Sequence, residues 1–400
     1  MSPRFLFYSH DSYGLGHLRR TLALARAVTE RDGGASALIL TGSALATSYR
    51  LPPRVDTVKL PAITKGDDGS YRSARLAVGF EELSRVRGSI AQAAAASFDP
   101  TVMVVDKSPL GLRGELEATL AELRAKARCR LVLGLRDVED SPRNVRRDWS
   151  ERIRRAIQSY YDTILVYGPI YTLDALDCLG WKRLDVPVHH VGYVGLPAPA
   201  QPPPDLPPDY VLVTVGGGGD GLRVAAAFAE AIRSRPLPCP SVIVTGPLMA
   251  DGDVRRLHRL AAGLHVRILE FRPDMEAVIA GARAVVSMAG YNSVVELMRA
   301  RRPALLVPRV KPREEQLVRA REMAAMGLAE MIHPDQLTPA AMRAALDRLL
   351  SQRPQEDSRP SCDGAAHAAD ILHGLAAPRP RPRRRARPHS RGPRAAPVLS

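Results

Sequence analysis

The sequence predicts an α/β protein made of two doubly wound, Rossmann-like domains facing a cleft, and three observations predict it. Short apolar runs alternate with helical patterns along both halves, a Pro-rich stretch separates the halves, and 400 residues exceed one ordinary core. Apolar residues make up 45% of the chain and aromatics only 5%, a balance that fills parallel sheets and their flanking helices.

In chain order, strands are expected at Phe5–Ser9, Ala37–Thr41, Val102–Asp106, Leu131–Leu135 and Ile164–Tyr167, which places an N-terminal domain over residues 1–196. The segment Pro197–Pro208 lacks so many backbone donors that neither helix nor ladder forms, and it is read as an interdomain linker. The rhythm restarts with strands at Val211–Val215, Val242–Thr245, Val266–Leu269, Ala284–Ser287 and Ala304–Val307, a second domain over 209–352. Helical spacing returns at 363–376. The Arg/Pro-rich residues 377–400 cannot bury a core and are expected to be a disordered tail.

Charge narrows the function classes. Of the net +15, eight arginines fall between Arg379 and Arg394, which leaves the body at about +7. That suits a diphosphate ligand or an anionic membrane surface, and with no RNA or DNA motif it disfavours nucleic acid. Cys129, Cys178, Cys239 and Cys362 form no CxxC pair, so neither a zinc site nor a disulfide framework is expected. With no signal peptide or membrane span legible, a cytoplasmic protein is expected, with the inner face of the membrane as a further place for it.

Three segments carry chemistry. Gly14-Leu-Gly16-His17-Leu-Arg19-Arg20 follows the first strand and opens a helix running to about Glu30. Its glycines allow close backbone approach, the helix start attracts an anion, and His17 offers a base. The plainer alternative is a tight turn whose histidine caps the helix. Gly216, Gly217, Gly218 and Gly219, ahead of Asp220, again lie between a strand and a helix. Four glycines in a row suggest positive φ or backbone contact with an anion, against the alternative of a flexible turn. No GK[ST] follows, and the acidic residue of dinucleotide binders is lacking, so a P-loop and NAD are disfavoured.

The third segment is Ser287-Met-Ala-Gly290-Tyr-Asn292-Ser293-Val-Val-Glu296. Gly290 allows a sharp turn, Asn292 and Ser293 put short polar groups at a helix start, and Glu296 falls one turn on along the same face. A carboxylate there can accept both hydroxyls of a ribose while the preceding amides hold phosphate. A capping box alone also explains the spacing.

Ile268-Leu-Glu-Phe271-Arg-Pro-Asp274-Met275, the Gly290–Glu296 element, Pro303–Pro308, Gln316 and His333-Pro-Asp-Gln-Leu-Thr338 occur in an order that resembles the C-terminal domain of family 28 (MurG-like) glycosyltransferases. The resemblance covers about Tyr210 to Leu350. It implies a GT-B fold with a UDP-sugar held chiefly by the second domain. Glu296 would then bind the ribose hydroxyls, Gly290, Asn292 and Ser293 would meet the diphosphate, Phe271 would lie against the uracil, and Gln316 would reach sugar hydroxyls. The Gly216–Gly219 loop would face the cleft. Gly14, Gly16 and His17 match the family's N-terminal glycine loop ending in His, which lies near the reacting centre. Its GlGHlrR form is closer to uncharacterised predicted glycosyltransferases and to the UDP-sugar hydrolase of pseudaminic acid synthesis. Arg302 replaces the usual glycine before Pro303, and only Gln316 follows Glu315 where the family has a glutamine pair.

Inverting, metal-independent transfer of a sugar, an N-acetylhexosamine among the candidates, from a UDP-sugar to an acceptor hydroxyl is therefore the expected function. His17 would be the general base or its organiser. The acceptor would be a lipid-linked or small-molecule glycoside, with peripheral membrane contact as a further expectation, and no cofactor or metal is expected beyond the donor itself. The rival readings are a UDP-sugar hydrolase or epimerase on the same fold and a non-catalytic nucleotide-sugar-binding protein. His189-His190 and Asp251-Gly-Asp253 receive structural readings, the latter as a polar connection. The Arg-rich run Arg143–Arg155 is read as a solvated helix face, with a membrane- or acceptor-facing patch as its alternative.

Overall fold

The computed structural model describes residues 2–10, 16–65, 70–168, 176, 184–197, 202–352 and 360–377. Gly14, residues 198–201 of the Pro-rich stretch, Cys178 and the tail 378–400 lie outside the described residues.

The N-terminal strands are β1 (Arg4–Ser9), β2 (Ser36–Thr41), β3 (Val55–Lys59), β4 (Ile63–Lys65), β5 (Tyr71–Ser73), β6 (Val102–Asp106), β7 (Arg130–Arg136), β8 (Thr163–Tyr167) and β9 (Val188–His190). Seven of them form one parallel sheet in the order β3-β2-β1-β6-β7-β8-β9, and β4 and β5 pair as a small antiparallel hairpin. The helices are α1 (Gly16–Arg31), α2 (Phe80–Phe98), α3 (Glu117–Lys126), α4 (Pro142–Asp148) and α5 (Glu151–Tyr160). Central strands such as β6 are buried along their whole length because helices cover both faces, hence their unbroken apolar runs.

The second sheet, also parallel, runs β12-β11-β10-β13-β14-β15. Its strands are β10 (Tyr210–Thr214), β11 (Ser241–Val244), β12 (Val266–Leu269), β13 (Ala282–Ser287), β14 (Ala304–Leu306) and β15 (Glu330–Met331). They alternate with α6 (Leu222–Ser234), α7 (Asp251–Ala261), α8 (Met275–Gly281), α9 (Tyr291–Ala300), α10 (Glu315–Ala325) and α11 (Pro339–Ser351). A last helix, α12 (Gly364–Ala376), returns to the first domain, where His373 Nε2 lies 2.9 Å from the Val28 carbonyl and its ring meets Phe5 edge-on.

The described part of the Pro-rich stretch is fastened rather than loose. Leu206 is buried in the core, and Asp205 accepts from Arg272 Nη1 at 2.7 Å. Asp251 and Asp253, expected in a polar connection, instead form the first turn of α7, where acidic side chains suit the positive end of the helix dipole.

The carboxyl ends of the two sheets face each other, and arginine–carboxylate contacts join them. Arg319 on α10 reaches Asp137 beyond β7 at 2.8 and 3.0 Å, with both side chains at 1% exposure or less. Arg313 reaches Asp140 at 2.8 Å and Asp148 at 2.6 Å, while the Glu314 amide donates to Asp140. Removing one member of a fully buried pair strands the other, so Asp137→Ala should lower the unfolding free energy by roughly 3–5 kcal/mol in a urea titration. The apolar replacement Asp137→Leu with Arg319→Met should recover most of that loss, and an unchanged midpoint for Asp137→Ala would show that the pair carries no weight.

Candidate active site

The interdomain cleft encloses a cavity of about 260 Å³ lined from both sheets. On the N-terminal side α1 starts at Gly16 directly in the cleft, so its first turn sets the chemistry. His17 Nδ1 lies 2.5 Å from Oδ2 of Asp106, the last residue of β6. Arg20, one turn on, holds the same carboxylate through Nε at 3.1 Å and Nη2 at 2.7 and 2.8 Å, and its guanidinium lies over the rings of Tyr167 and Tyr291.

Burial pushes Asp106 up, but Arg20 and His17 outweigh it and hold the carboxyl at about 2. Burial lowers His17 below its ordinary 6.5 against the opposing pull of Asp106. The imidazole is therefore neutral near pH 7. Arg20 Nη2 also sits 2.9 Å from Nδ1, but an unprotonated Nδ1 would set its lone pair against the carboxylate oxygen at 2.5 Å, so the ionised Asp106 selects the Nδ1–H tautomer. Nε2 is then left as a base. A turn with a capping histidine would not need this arrangement.

On the C-terminal side the glycine loop follows β10. Gly216 has φ +64 with open space around its missing Cβ, whereas Gly218 has φ +96 and a Cβ there would stand 2.2 Å from the Thr245 carbonyl oxygen. The loop packs backbone to backbone on Gly246, and Leu248 donates its amide to the Gly217 carbonyl at 2.8 Å. Gly216, Gly217, Gly218 and Gly219 all line the cavity.

Two expectations for the Gly290–Glu296 element change. Gly290 is not the strained residue: its φ is −61, and the left-handed position is Ala289 at +60. Nor is there a capping box, because Gly290 itself occupies the cap position and Asn292 and Ser293 fall inside the first turn. The amides of that turn have no partner within the helix and open on the cleft, an anion site by geometry. Asn292 Nδ2 donates to the Gly16 carbonyl across the cleft at 3.1 Å.

Glu296 is buried, and its Oε1 takes a 2.6 Å ion pair from Arg19 of the opposite domain; the same Nη2 pairs with Glu276 at 2.6 Å. Burial, then Glu276, push Glu296 up to about 8 while Arg19 pulls it down. Phe271 lines the cavity and meets Tyr49 of the first domain edge-on at 6.1 Å. Gln316 lines it as well, its carbonyl oxygen accepting from the Arg309 amide at 3.0 Å.

The cavity thus gathers the described residues expected for the site, from Gly16 and His17 to Gln316. Asp106, Arg20, Arg136 and Arg309 were missed. Asp106 carried a signal, being an acidic residue at the carboxyl end of an otherwise apolar predicted strand, where α/β sites form. The arginines carried none among 57 basic residues. Among the described residues, Arg136 Nε, Arg309 Nε and Glu315 Oε2 are buried with no hydrogen-bond partner, and all three residues line the cavity. Among the described residues no group of three or more potential metal ligands occurs, and no helix is long and apolar enough to cross a membrane.

Comparison with known proteins follows this division. Residues 213–375 match the glycosyltransferase family 28 C-terminal domain. The chain is 28% identical over 186 residues to a UDP-N-acetylglucosamine–N-acetylmuramyl-(pentapeptide) pyrophosphoryl-undecaprenol N-acetylglucosamine transferase of Anaplasma marginale, covering 45% of this chain and 52% of that one. It is 32% identical over 156 residues to the enzyme of the same name from Gluconobacter oxydans, covering 36% and 41%. The chain thus spans about half the length of the curated relatives it matches. In overall shape it is similar to the calicheamicin glycosyltransferase CalG4, with a TM-score of 0.56 at 18% identity over 94% of this chain and 96% of that one. Acinetobacter baumannii MurG gives 0.55 at 13% over 94% and 98%. The chain therefore has the GT-B fold, and its C-terminal domain matches that of glycosyltransferase family 28 over residues 213–375.

The two loop glycines should separate in a stability measurement. Gly216→Ala should cost about 1–2 kcal/mol, the strain of a left-handed backbone alone. Gly218→Ala should cost more, because the Thr245 carbonyl must also move; equal midpoints in urea would contradict the packing described.

Proposed function

We propose that this chain transfers a sugar, with an N-acetylhexosamine as first candidate, from a UDP-sugar to a hydroxyl of a lipid-linked acceptor, inverting the anomeric centre without a metal. The observation that carries this reading is the His17–Asp106 pair at 2.5 Å, whose imidazole lines the same cleft as residues of the family 28 match.

In this mechanism the acceptor oxygen forms a bond to the anomeric carbon as His17 Nε2 takes its proton. The bond from that carbon to the diphosphate oxygen breaks, and its electron pair leaves with UDP. Asp106 stabilises the imidazolium that results, and Arg20 fixes Asp106. The departing charge meets the first-turn amides of α9, the Gly216–Gly219 loop and the guanidiniums of Arg136 and Arg309, preorganised dipoles and charges that need no reorganisation. Phe271 is assigned to the uracil and Glu296 to the ribose.

The curated relatives act on an undecaprenol-linked acceptor, which supports a lipid-linked substrate met at the cytoplasmic face of a membrane. Exposed arginines on α4 and α5 would face anionic lipid, although Arg152, Arg154 and Arg155 already pair with Glu117 and Glu151.

Incubation of the protein with UDP-GlcNAc and a bacterial lipid extract should yield a glycosylated lipid; free sugar with no such product would overturn transfer in favour of hydrolysis. His17→Ala should lower kcat by about 10²–10⁴-fold with UDP affinity retained, the usual worth of a general base. The pH profile gives a separate check. Because His17 is held below 6.5, kcat should stay on its plateau through neutrality and fall only below that pH, as the base becomes protonated. Asp106→Asn removes the group that raises His17, so the acid limb should move lower still while the plateau drops.

A further inference from the structure

Arg19 is the one cavity-lining residue that pairs with two buried carboxylates of the opposite domain. It stands on the first turn of α1, two residues from His17, but points away from Asp106. Its Nη2 lies 2.6 Å from Oε1 of Glu276 at the start of α8 and 2.6 Å from Oε1 of Glu296 on α9. All three side chains are at 12% exposure or less. One guanidinium therefore serves two carboxyl groups from two different helices of the opposite domain. A carboxylate offers about four lone-pair sites, so a bond from Arg19 to Oε1 leaves Glu296 able to accept from a diol.

We propose that Arg19 is a positioning residue for the nucleotide's ribose: reaching across the cleft, it fixes the orientation of the Glu296 carboxyl group and so makes ribose recognition depend on closure of the two domains. This rests on the assignment of Glu296 to the ribose. A Glu296 without Arg19 would be a buried carboxyl beside Glu276, and both influences favour its neutral form. The bond from Arg19 to Oε1 is what fixes the rotamer of that carboxyl beside the cavity. Arg19 and Glu276 are the charged groups facing Glu296 from the elements packed on α9. The neighbouring Tyr49–Phe271 contact puts a second pair of residues from opposite domains beside the same end of the cavity. Each domain thus supplies part of the nucleoside site, and binding energy released there favours the closed form in which His17 faces the donor.

The test is calorimetric titration of the full chain with UDP and with 2′-deoxy- and 3′-deoxy-UDP. The wild type should prefer UDP. In Arg19→Met at pH 7, UDP affinity should fall by about tenfold, the loss expected of one charge-assisted hydrogen bond, while the deoxynucleotides weaken far less. Arg19→Lys should restore most of the preference. Adding Arg19→Met to Glu296→Gln should cost little more than Glu296→Gln alone. Equal losses for UDP and both deoxynucleotides, or a preference that survives Arg19→Met unchanged, would overturn the proposal alone. A wild type that does not bind UDP would overturn the donor reading, and this inference with it.

Discussion

The first turn of α1 is the constraint on which the rest of the site depends. Because the helix begins inside the cleft, residues three apart fall on one face, and His17 and Arg20 both reach Asp106 in their own domain. Arg19, between them, is turned toward the other domain and takes Glu276 and Glu296. A single helical turn therefore sets the protonation of the base and one of the ties that hold the domains together. Shifting its register by one residue would break both at once. The base and the closure are not separable features of the sequence.

Burying so many charges is costly unless each is matched, and the cleft shows how matching is achieved. Arg20 with Asp106, Arg136 with Glu139, Arg309 with Glu315 and Arg319 with Asp137 are all close pairs. Such pairs add little net stability over apolar packing but fix position strongly. What a diphosphate meets is thus a set of fixed guanidiniums whose charges are already partly answered. Among the buried polar atoms of the described residues that lack a hydrogen-bond partner, Arg136 Nε, Arg309 Nε and Glu315 Oε2 belong to residues that line the cavity, where a polar ligand would complete the bonding.

The sequence showed the central strands well and the edges poorly, for a physical reason. Parallel strands covered on both faces read as unbroken apolar runs, so β1, β6, β10 and β13 were legible within a residue or two. β3, with Asp56 and Lys59 in a half-exposed run, and β15, two residues long, gave no such run. On the donor wall, Phe271, Gly290, Glu296 and Gln316 were found because their order resembles a known domain. Asp106 and Arg136 come from strand ends far apart in sequence, and only the sheet order brings them beside α1. Gly290 was found for a wrong reason: the turn is taken by Ala289, and glycine at 290 instead leaves the helix start uncovered.

The two walls accordingly work by different means, and this bears on how each would diverge. On the proposed reading the diphosphate part of the donor wall works through backbone, in a glycine loop and a helix start, so substitutions there act first on the fold, as the 2.2 Å approach at Gly218 illustrates, while Phe271, Glu296 and Gln316 add side chains for the rest of the donor. The opposite wall acts through side chains, His17, Asp106, Arg19 and Arg136, carried on strand ends and one helical turn. Asp106 and Arg19 answer buried partners and change only at a cost, which leaves His17 the freest of them to change identity. A chain of this architecture can therefore keep its nucleotide class while its acceptor, and even the choice between an acceptor hydroxyl and water, changes with a few residues on the N-terminal side. On the proposed reading both domains touch the nucleotide, and the first also decides what becomes of the sugar.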